Sequence, residues 1–282
     1  MLTEYIQHFG LTETPFARNH DPKWLYLSTQ HKDAVVNVRW TIQEHGGLAL
    51  VRGDVGHGKS FLIEYLMTLW PHQYGWRCAK LQNTGTITSP RTLLAEVLAA
   101  FGLEPGTNAR EMVTRLETWL LSKAYEEKQT IVLFIDEAQS IASRAFPVIR
   151  DLLNLQTRES ILLQIVLSAQ LGIDKKLAYY PALLSRVASV STLEPLSEEE
   201  TGNMLLHRFQ RAGARDPFSL CPPETMQAIY QHTGGVPRDI LVVTEGTMKE
   251  AFLHDSPQLL PEHVEKTVRG LGCRRPKLAK AA

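Results

Sequence analysis

The sequence has no net charge, few cysteines and no long apolar run, and each of these features limits what the protein can be. Lys and Arg number 30 and Asp and Glu number 30 in 282 residues, so any binding of nucleic acid has to come from local patches rather than a global field. The three cysteines, Cys78, Cys221 and Cys273, show no C-x-x-C spacing, which argues against a zinc site or a disulfide framework. No uninterrupted apolar run reaches the roughly 18 to 20 residues of a membrane helix, and the N-terminus lacks a signal pattern. We therefore expect a soluble cytoplasmic protein with reduced thiols and no membrane contact.

What the sequence does contain is a glycine-rich stretch, residues 53–60, that reads Gly-Asp-Val-Gly-His-Gly-Lys-Ser. It fits the phosphate-binding loop pattern G-x-x-x-x-G-K-[ST] at every specified position. The apolar run Leu48–Val51 before it is typical of a buried strand, and the apolar spacing after it predicts a helix. The order of strand, loop and helix favours a nucleotide site over a chance glycine turn, because backbone N–H groups and a helix N-terminus then face the phosphates.

Two side chains of this loop have distinct expected roles. Lys59 can reach the β- and γ-phosphates of a nucleotide, and the Ser60 hydroxyl can ligate Mg²⁺. The residues that we expect to bind the nucleotide are Gly53, Val55, Gly56, His57, Gly58, Lys59, Ser60 and Phe61.

A second signal is the apolar run 130–135, which ends in Asp136 and Glu137. A continuous run of this kind is typical of a central parallel strand that is buried on both faces. In nucleotide hydrolases with a phosphate loop, an acidic residue at such a strand end holds the magnesium complex, and we assign that role to Asp136. Glu137 is positioned to polarise the attacking water and is the candidate general base. The alternative is a solvated strand end without a catalytic role.

The strand order predicts an α/β fold with a five-stranded parallel sheet between helices. The expected strands are 48–51, 76–81, 130–135, 161–168 and 187–193. The fourth of them ends in Ser168-Ala169-Gln170, and a polar side chain there can report on the γ-phosphate. Gln170 is the first candidate and Ser168 the second, since the choice depends on the strand register.

Further along the chain, the capping-box spacing of Ser197 and Glu200 opens a purely helical region. We therefore expect four segments: an N-terminal strap and helix at 1–45, the α/β domain at 46–195, a small helical lid at 196–270 and a basic tail at 271–282. In the strap, Phe16, Leu25 or Tyr26 either line an adenine pocket or serve only structural packing. The tail carries Arg274, Arg275, Lys277 and Lys280, and is expected to be solvated or, alternatively, to dock to a partner or to phosphates.

Together, these features resemble an AAA+ ATPase over roughly residues 10 to 270. The resemblance implies ATP as the nucleotide and adds roles that spacing alone does not give. Arg186, in Leu-Leu-Ser-Arg-Val, matches the arginine finger that reaches the nucleotide of a neighbouring subunit. Arg238, in Gly-Gly-Val-Pro-Arg, matches the second sensor of the lid. A surface salt bridge is the alternative for each arginine.

The opening is similar, more narrowly, to the ExeA/GspA-type ATPases. Its matching features are Phe9-Gly10-Leu11, Pro15-Phe16, the stretch from Asp21 to Ser28, and His31. This group includes secretion ATPases and transposition regulators of the TnsC, TniB and MuB kind. Because the sequence ends soon after the lid, without a membrane span or a wall-binding region, we expect the transposition branch. Relatives vary at Asp54, Val55 and His57, and they more usually have Val-Gly-Gln at the strand tip.

The resemblance implies an ATP-dependent regulator of DNA transposition that assembles as a ring or helical filament on double-stranded DNA. It would link a target-selector protein to the transposase subunits and disassemble when ATP is hydrolysed. Arg91, Arg144 and Arg150 are candidate contacts to the DNA backbone, or else ordinary helix-surface charges. Two alternatives are a secretion-associated ATPase with a separate membrane partner and a nucleotide-gated adaptor with negligible turnover.

Overall fold

The computed structural model describes residues 2–16 and 21–271, which group into two units. The core unit comprises Thr29–Val55 and Lys59–Leu193. The helical unit comprises Met1–Ser28, Gly56–Gly58 and Glu194–Ala282. Cys273 and the basic residues expected in the tail lie outside the described residues.

The core unit is built on a five-stranded parallel sheet of order β2-β3-β4-β1-β5. The strands are β1 Leu48–Gly53, β2 Arg77–Lys80, β3 Ile131–Ile135, β4 Leu163–Ala169 and β5 Val187–Leu193. Every residue of β3 and β4 is buried, which explains the continuous apolar run of β3. β4 is apolar except for Gln164 and Ser168, which are also buried. The predicted α/β fold with five parallel strands is therefore confirmed.

Helices connect the strands and cover the sheet. In the core unit they are α2 Thr29–Gln43, α3 Lys59–Tyr74, α4 Pro90–Ala100, α5 Ala109–Leu120, α6 Phe146–Leu153, α7 Ile173–Ala178 and α8 Pro181–Leu184, and the preceding α1 Leu2–His8 belongs to the helical unit. The sequence predicts a longer α5, from 108 to 128, but the α-helix ends at Leu120 and a π-helical turn, Leu121–Glu126, follows. No residue of that turn is buried, so no packing holds it in the regular helical period.

The helical unit contains no strand among its described residues. Its remaining helices are α9 Glu198–Arg211, α10 Pro217–Leu220, α11 Pro223–Thr233, α12 Pro237–Leu253 and α13 Pro261–Gly270. The capping box predicted at the start of α9 is present, with reciprocal hydrogen bonds between Ser197 and Glu200. Gly234 directly follows α11 and adopts the left-handed conformation expected after a helix C-terminus.

The N-terminal segment divides at Ser28, in contrast to the single segment 1–45 expected from the sequence. Residues up to Ser28 group with the helical unit, whereas α2 groups with the core unit. The physical reason is burial: Phe16 is 1% exposed and meets the Phe209 ring edge-on at 5.1 Å. Arg208 donates from Nη1 to the Pro15 carbonyl oxygen at 2.9 Å, and burial lowers its pKa to about 10. Phe16 is thus packed as a structural strap requires.

We expect Phe16→Ala to lower the free energy of unfolding by about 3–5 kcal/mol, because it removes a fully buried ring and leaves a cavity. Urea unfolding followed by circular dichroism measures the change. Phe218→Ala is the control in the same unit, because Phe218 is 59% exposed, and its effect should stay within about 0.5 kcal/mol. Equal effects of the two substitutions would contradict the buried strap.

Candidate active site

The loop after β1 has the backbone conformation that its glycines permit. Gly56 and Gly58 have φ angles of 90° and 89°, a region that side chains with a Cβ rarely adopt. At Gly56 a Cβ would also lie 3.0 Å from Arg238 Cβ and 3.0 Å from Val236 Cγ1. Position 56 therefore requires glycine for both its conformation and its close packing.

Lys59 begins α3 and is held by the loop itself. Its side chain is buried, with 4% of the residue exposed, and Nζ donates to the carbonyl oxygens of Gly53 at 2.8 Å and Asp54 at 2.9 Å. Ser60 and Phe61 follow in the first turn of α3 and are half-buried. His57 is buried, whereas Val55 is 54% exposed. The lysine is thus fixed at the start of the helix, where a phosphate-binding lysine is needed.

Asp136 lies directly after β3 and joins three neighbouring strands at their carboxyl ends. Its Oδ1 accepts from Ser168 Oγ at 2.7 Å and from the Glu137 backbone N at 3.0 Å. Its Oδ2 lies 3.6 Å from Lys80 Nζ. Lys80 in turn forms an ion pair of 2.6 Å with Glu64, so the carboxylate at position 136 is positioned by charge and by hydrogen bonds.

Lys80 is a residue of this site that the sequence did not indicate. It ends β2 and pairs with Phe134 in the register between β2 and β3. That register brings its side chain to Asp136, two residues beyond Phe134. A single lysine at the end of a short predicted strand carries no signal by itself, because the order of strands in the sheet has to be known first.

Glu137 has a left-handed backbone, with φ 51° and ψ 40°. For a residue other than glycine this conformation costs about 1–3 kcal/mol and is often found at functional sites. Its Oε2 accepts from Gln139 Nε2 at 2.5 Å and lies 3.4 Å from Gln170 Nε2. The two glutamine amides therefore converge on one oxygen of the expected general base.

The register of β4 brings both polar candidates at its tip to the acidic pair. Ser168 contacts Asp136, and Gln170 contacts Glu137. Ser168 and Gln170 are two residues apart and therefore share one face of the extended chain. The sequence presented them as alternatives for one role, whereas the structure places each beside a different carboxylate.

The donor set at this sheet edge suits Mg²⁺. Ser60 and Asp136 offer hydroxyl and carboxylate oxygens, and Mg²⁺ needs only one or two carboxylates beside phosphate oxygens and water. In the described part of the chain no group of three or more His, Cys, Asp or Glu side chains forms a complete metal cage. The residues present thus fit a Mg²⁺ ion that is bound together with a nucleotide.

Arg238 stands in the first turn of α12 and contacts Gly56, which belongs to the same helical unit. Its backbone N donates to the Gly56 carbonyl oxygen at 3.2 Å. The preceding Gly235 has no room for a Cβ, which would lie 1.9 Å from the Leu196 carbonyl oxygen. Gly235 therefore allows this stretch to pack against Leu196, and the missing side chain at Gly56 leaves the space beside it for Arg238.

Arg186 stands between α8 and β5, away from the acidic pair. It is half-buried and donates from Nη1 to the Leu153 carbonyl oxygen at 3.4 Å. With Gly46 and Gly47 it lines a cavity of about 160 Å³. The structure thus brings together Lys59, Asp136, Glu137 and Gln170 on neighbouring elements, and leaves Arg186 at a separate surface of the core unit.

The three arginines expected to contact DNA have different surroundings. Arg91 is exposed in the first turn of α4. Arg144 donates to the Thr88 carbonyl oxygen. Arg150 forms an ion pair of 2.6 Å with Asp151 in α6, which reduces the charge it offers to a phosphate.

The fold and the site define a P-loop ATPase with the AAA+ fold. Residues 42–177 match the sequence model of a family described as the AAA domain. This match covers the loop, the acidic pair and the tip of β4.

A curated relative extends the likeness over most of the chain. General secretion pathway protein A of Aeromonas hydrophila is 30% identical over 260 residues, which cover 91% of this chain and 46% of that protein. The chain thus spans less than half the length of this curated relative.

The structural likeness lies with proteins of low sequence identity. The Aeropyrum pernix ORC2 protein, solved with ADPNP and ADP, has a TM-score of 0.66 at 17% identity and covers 94% of this chain and 73% of its own. Drosophila ORC bound to DNA has a TM-score of 0.66 at 16% identity and covers 96% of this chain and 65% of its own. At these identities the likeness supports the fold. Within residues 2–16 and 21–271, no helix has the length and apolarity needed to cross a membrane.

Gly56→Ala is expected to weaken nucleotide binding at least about tenfold, because the added Cβ is strained at φ 90° and meets Val236 and Arg238. Fluorescence titration with a labelled ATP analogue measures the affinity. Gly172→Ala is the matched control, because Gly172 has φ −60° and open space around its Cβ position. A Gly56→Ala protein that binds nucleotide like the parent chain would refute the role assigned to the loop.

Proposed function

We propose that this chain binds Mg²⁺-ATP at the carboxyl edge of its sheet and hydrolyses it as part of a homo-oligomer. The observation that carries the proposal is the convergence at this edge of the phosphate loop after β1, the Asp136–Glu137 pair after β3 and Gln170 after β4. In parallel sheets with flanking helices, ligands bind at these strand ends. Ionisable and amide side chains are concentrated there, although every residue of β3 is buried.

Each residue at this edge has a role in the proposed reaction. Lys59 neutralises charge on the β- and γ-phosphates, and Ser60 with Asp136 holds the metal ion. When bound, Mg²⁺ supplies charge stabilisation to the transferred phosphoryl group. Glu137 accepts a proton from the attacking water while the bond from the γ-phosphorus to the ADP oxygen breaks. Gln170 is the polar group that responds to the γ-phosphate.

The two arginines are proposed to act on the nucleotide from different chains. The Arg238 backbone N donates to the Gly56 carbonyl oxygen within the helical unit of the same chain. In the proposal, Arg238 serves as the second sensor for the nucleotide of that chain. Arg186 lies on a separate surface of the core unit, where its guanidinium donates to the Leu153 carbonyl oxygen. That placement supports a finger that reaches the ATP of a second copy.

A mixing experiment tests both the hydrolysis and its sharing between copies. We expect Glu137→Gln to bind ATP but to lose turnover by about a hundredfold or more, because the general base is removed. We expect Arg186→Ala to lose turnover to a similar extent, because no arginine from the neighbouring copy then stabilises the charge that develops on the phosphoryl group.

Mixed in equal amounts, the two inactive variants should recover part of the activity. Some interfaces then combine an intact Glu137 with an intact Arg186. Steady-state release of phosphate is the measurement. The mixture staying as inactive as its components would contradict an active site shared between copies. A parent chain without turnover would favour the nucleotide-gated adaptor.

Two processes are candidates for coupling to this ATPase. The first is protein secretion with a separate membrane partner, which is supported by the relative named for the general secretion pathway. The second is regulation of DNA transposition on double-stranded DNA, with a target selector and transposase subunits as partners. The resemblance of residues 9–31 to the ExeA/GspA-type group covers both processes, and one structure of the same fold, Drosophila ORC, was solved bound to DNA.

Binding measurements separate the two processes. With a non-hydrolysable ATP analogue present, the secretion candidate predicts sedimentation with membranes of the source organism and weak retention of duplex DNA. The transposition candidate predicts filaments or rings on duplex DNA by electron microscopy, with affinity that falls steeply as salt rises.

If the transposition candidate is correct, replacing Arg91, Arg144 and Arg150 by alanine should reduce the dependence of DNA affinity on salt. The slope of log affinity against log salt concentration should fall by about one for every phosphate that an arginine no longer neutralises. Alanine at Arg110, Arg158 and Arg269 is the control, because these three arginines are exposed and carry the same total charge. Equal slopes for the two triple variants would exclude the three candidate arginines.

A further inference from the structure

Gln139 makes two hydrogen bonds beside Glu137, and the proposed reaction gives this glutamine no role. Its Nε2 donates to Glu137 Oε2 at 2.5 Å, and its Oε1 accepts from the Gln170 backbone N at 3.0 Å. The side chain thereby connects the expected general base to the tip of β4. It is half-buried, so water competes with these bonds less than at an exposed site.

The orientation of the Gln139 amide is determined by these partners. A backbone N–H can only donate, so the group facing Gln170 N has to be the amide oxygen. The NH₂ group then faces Glu137, where it meets an acceptor. In the flipped orientation both contacts would be unfavourable, with two donors opposed at Gln170 and two acceptors opposed at the carboxylate.

The backbone that carries Gln139 is also fixed. The turn Ala138–Ser140 is closed by a hydrogen bond from Ser140 N to the Glu137 carbonyl oxygen at 2.8 Å. Lys176 of α7 donates from Nζ to the Gln139 carbonyl oxygen at 3.1 Å and also to that of Ile141. Burial lowers the pKa of the Lys176 ammonium, and its place over the Phe146 ring, 4.3 Å from the centroid, holds it against the turn.

We propose that Gln139 is a positioning residue that fixes the rotamer of Glu137 for water activation. The inference rests on the proposed hydrolysis at Glu137. With Oε2 held by the amide, the second carboxylate oxygen, Oε1, is left to accept the proton from water. The Gln139 amide is also bonded to the backbone of Gln170. It therefore links the Glu137 carboxylate to the end of β4 through a main-chain group rather than through the Gln170 side chain.

Gln139→Met tests this role, because methionine has a similar length and no amide donor or acceptor. We expect kcat to fall about tenfold or more, as for the loss of a hydrogen bond to a charged group, while KM and the affinity for an ATP analogue stay within about twofold. The kcat of Gln139→Glu should fall further, because this substitution places a second negative charge beside the Glu137 carboxylate. Ser140→Ala is the control: Ser140 is exposed on the same turn and should turn over like the parent chain.

A double-mutant comparison separates positioning from a structural role. Aspartate at position 137 is one methylene shorter than glutamate, so the Glu137→Asp variant loses the hydrogen bond to the Gln139 amide. Adding Gln139→Met to Glu137→Asp should therefore lower kcat by less than about twofold relative to Glu137→Asp alone. A full tenfold further loss there, a raised KM, or a lowered melting temperature of Gln139→Met would overturn the proposal. So would normal turnover of Gln139→Met when Glu137→Gln is inactive. A parent chain without turnover would be a distinct result that refutes the hydrolysis itself.

Discussion

The structure depends on the parallel pairing of β3, β4 and β1, which aligns the carboxyl ends of three buried strands. Ile135 pairs with Leu167 and Val51 pairs with Ser168, so residues just beyond these pairs meet at one sheet edge. A slip of one residue in the pairing of β3 with β4 would turn Ser168 away from Asp136 and move an apolar side chain into its place. The apolar pattern that buries the sheet therefore also sets the geometry of the polar site.

Two small networks at this edge fix the two carboxylates differently. The Asp136 carboxylate is held by the charge of Lys80 and by a hydrogen bond from the Ser168 hydroxyl. Glu137 is held by neutral amides from Gln139 and Gln170, which orient a carboxylate without neutralising it. Neighbouring residues in sequence thus have separate environments, and the left-handed backbone at Glu137 is what directs their side chains to different partners.

The helical unit is stabilised by a segment from the opposite end of the sequence. Phe16 packs on Phe209, and the carbonyl oxygen of Pro15 accepts from the buried Arg208. A buried guanidinium is costly unless it is hydrogen-bonded, so this contact ties the strap to α9 specifically. The same unit contains Gly56, whose packing against Val236 and Arg238 leaves no room for a side chain.

The sequence by itself determined the class of this protein and the elements that carry its site. A phosphate loop between an apolar run and a helix, and an acidic pair after a fully apolar run, are local patterns whose physical cause lies within a few residues. The apolar sequences of β3 and β4 predicted where these buried strands lie, and the capping-box residues predicted where α9 begins.

Only the tertiary structure decided which side chains reach these elements from elsewhere. Lys80 comes to Asp136 through the strand order, Gln139 comes to Glu137 through a left-handed turn, and the N-terminal strap joins the helical unit through a buried ring. Each of these contacts depends on a register, a backbone angle or a packing partner far away in the chain, and none of these leaves a periodic signal in the amino-acid sequence.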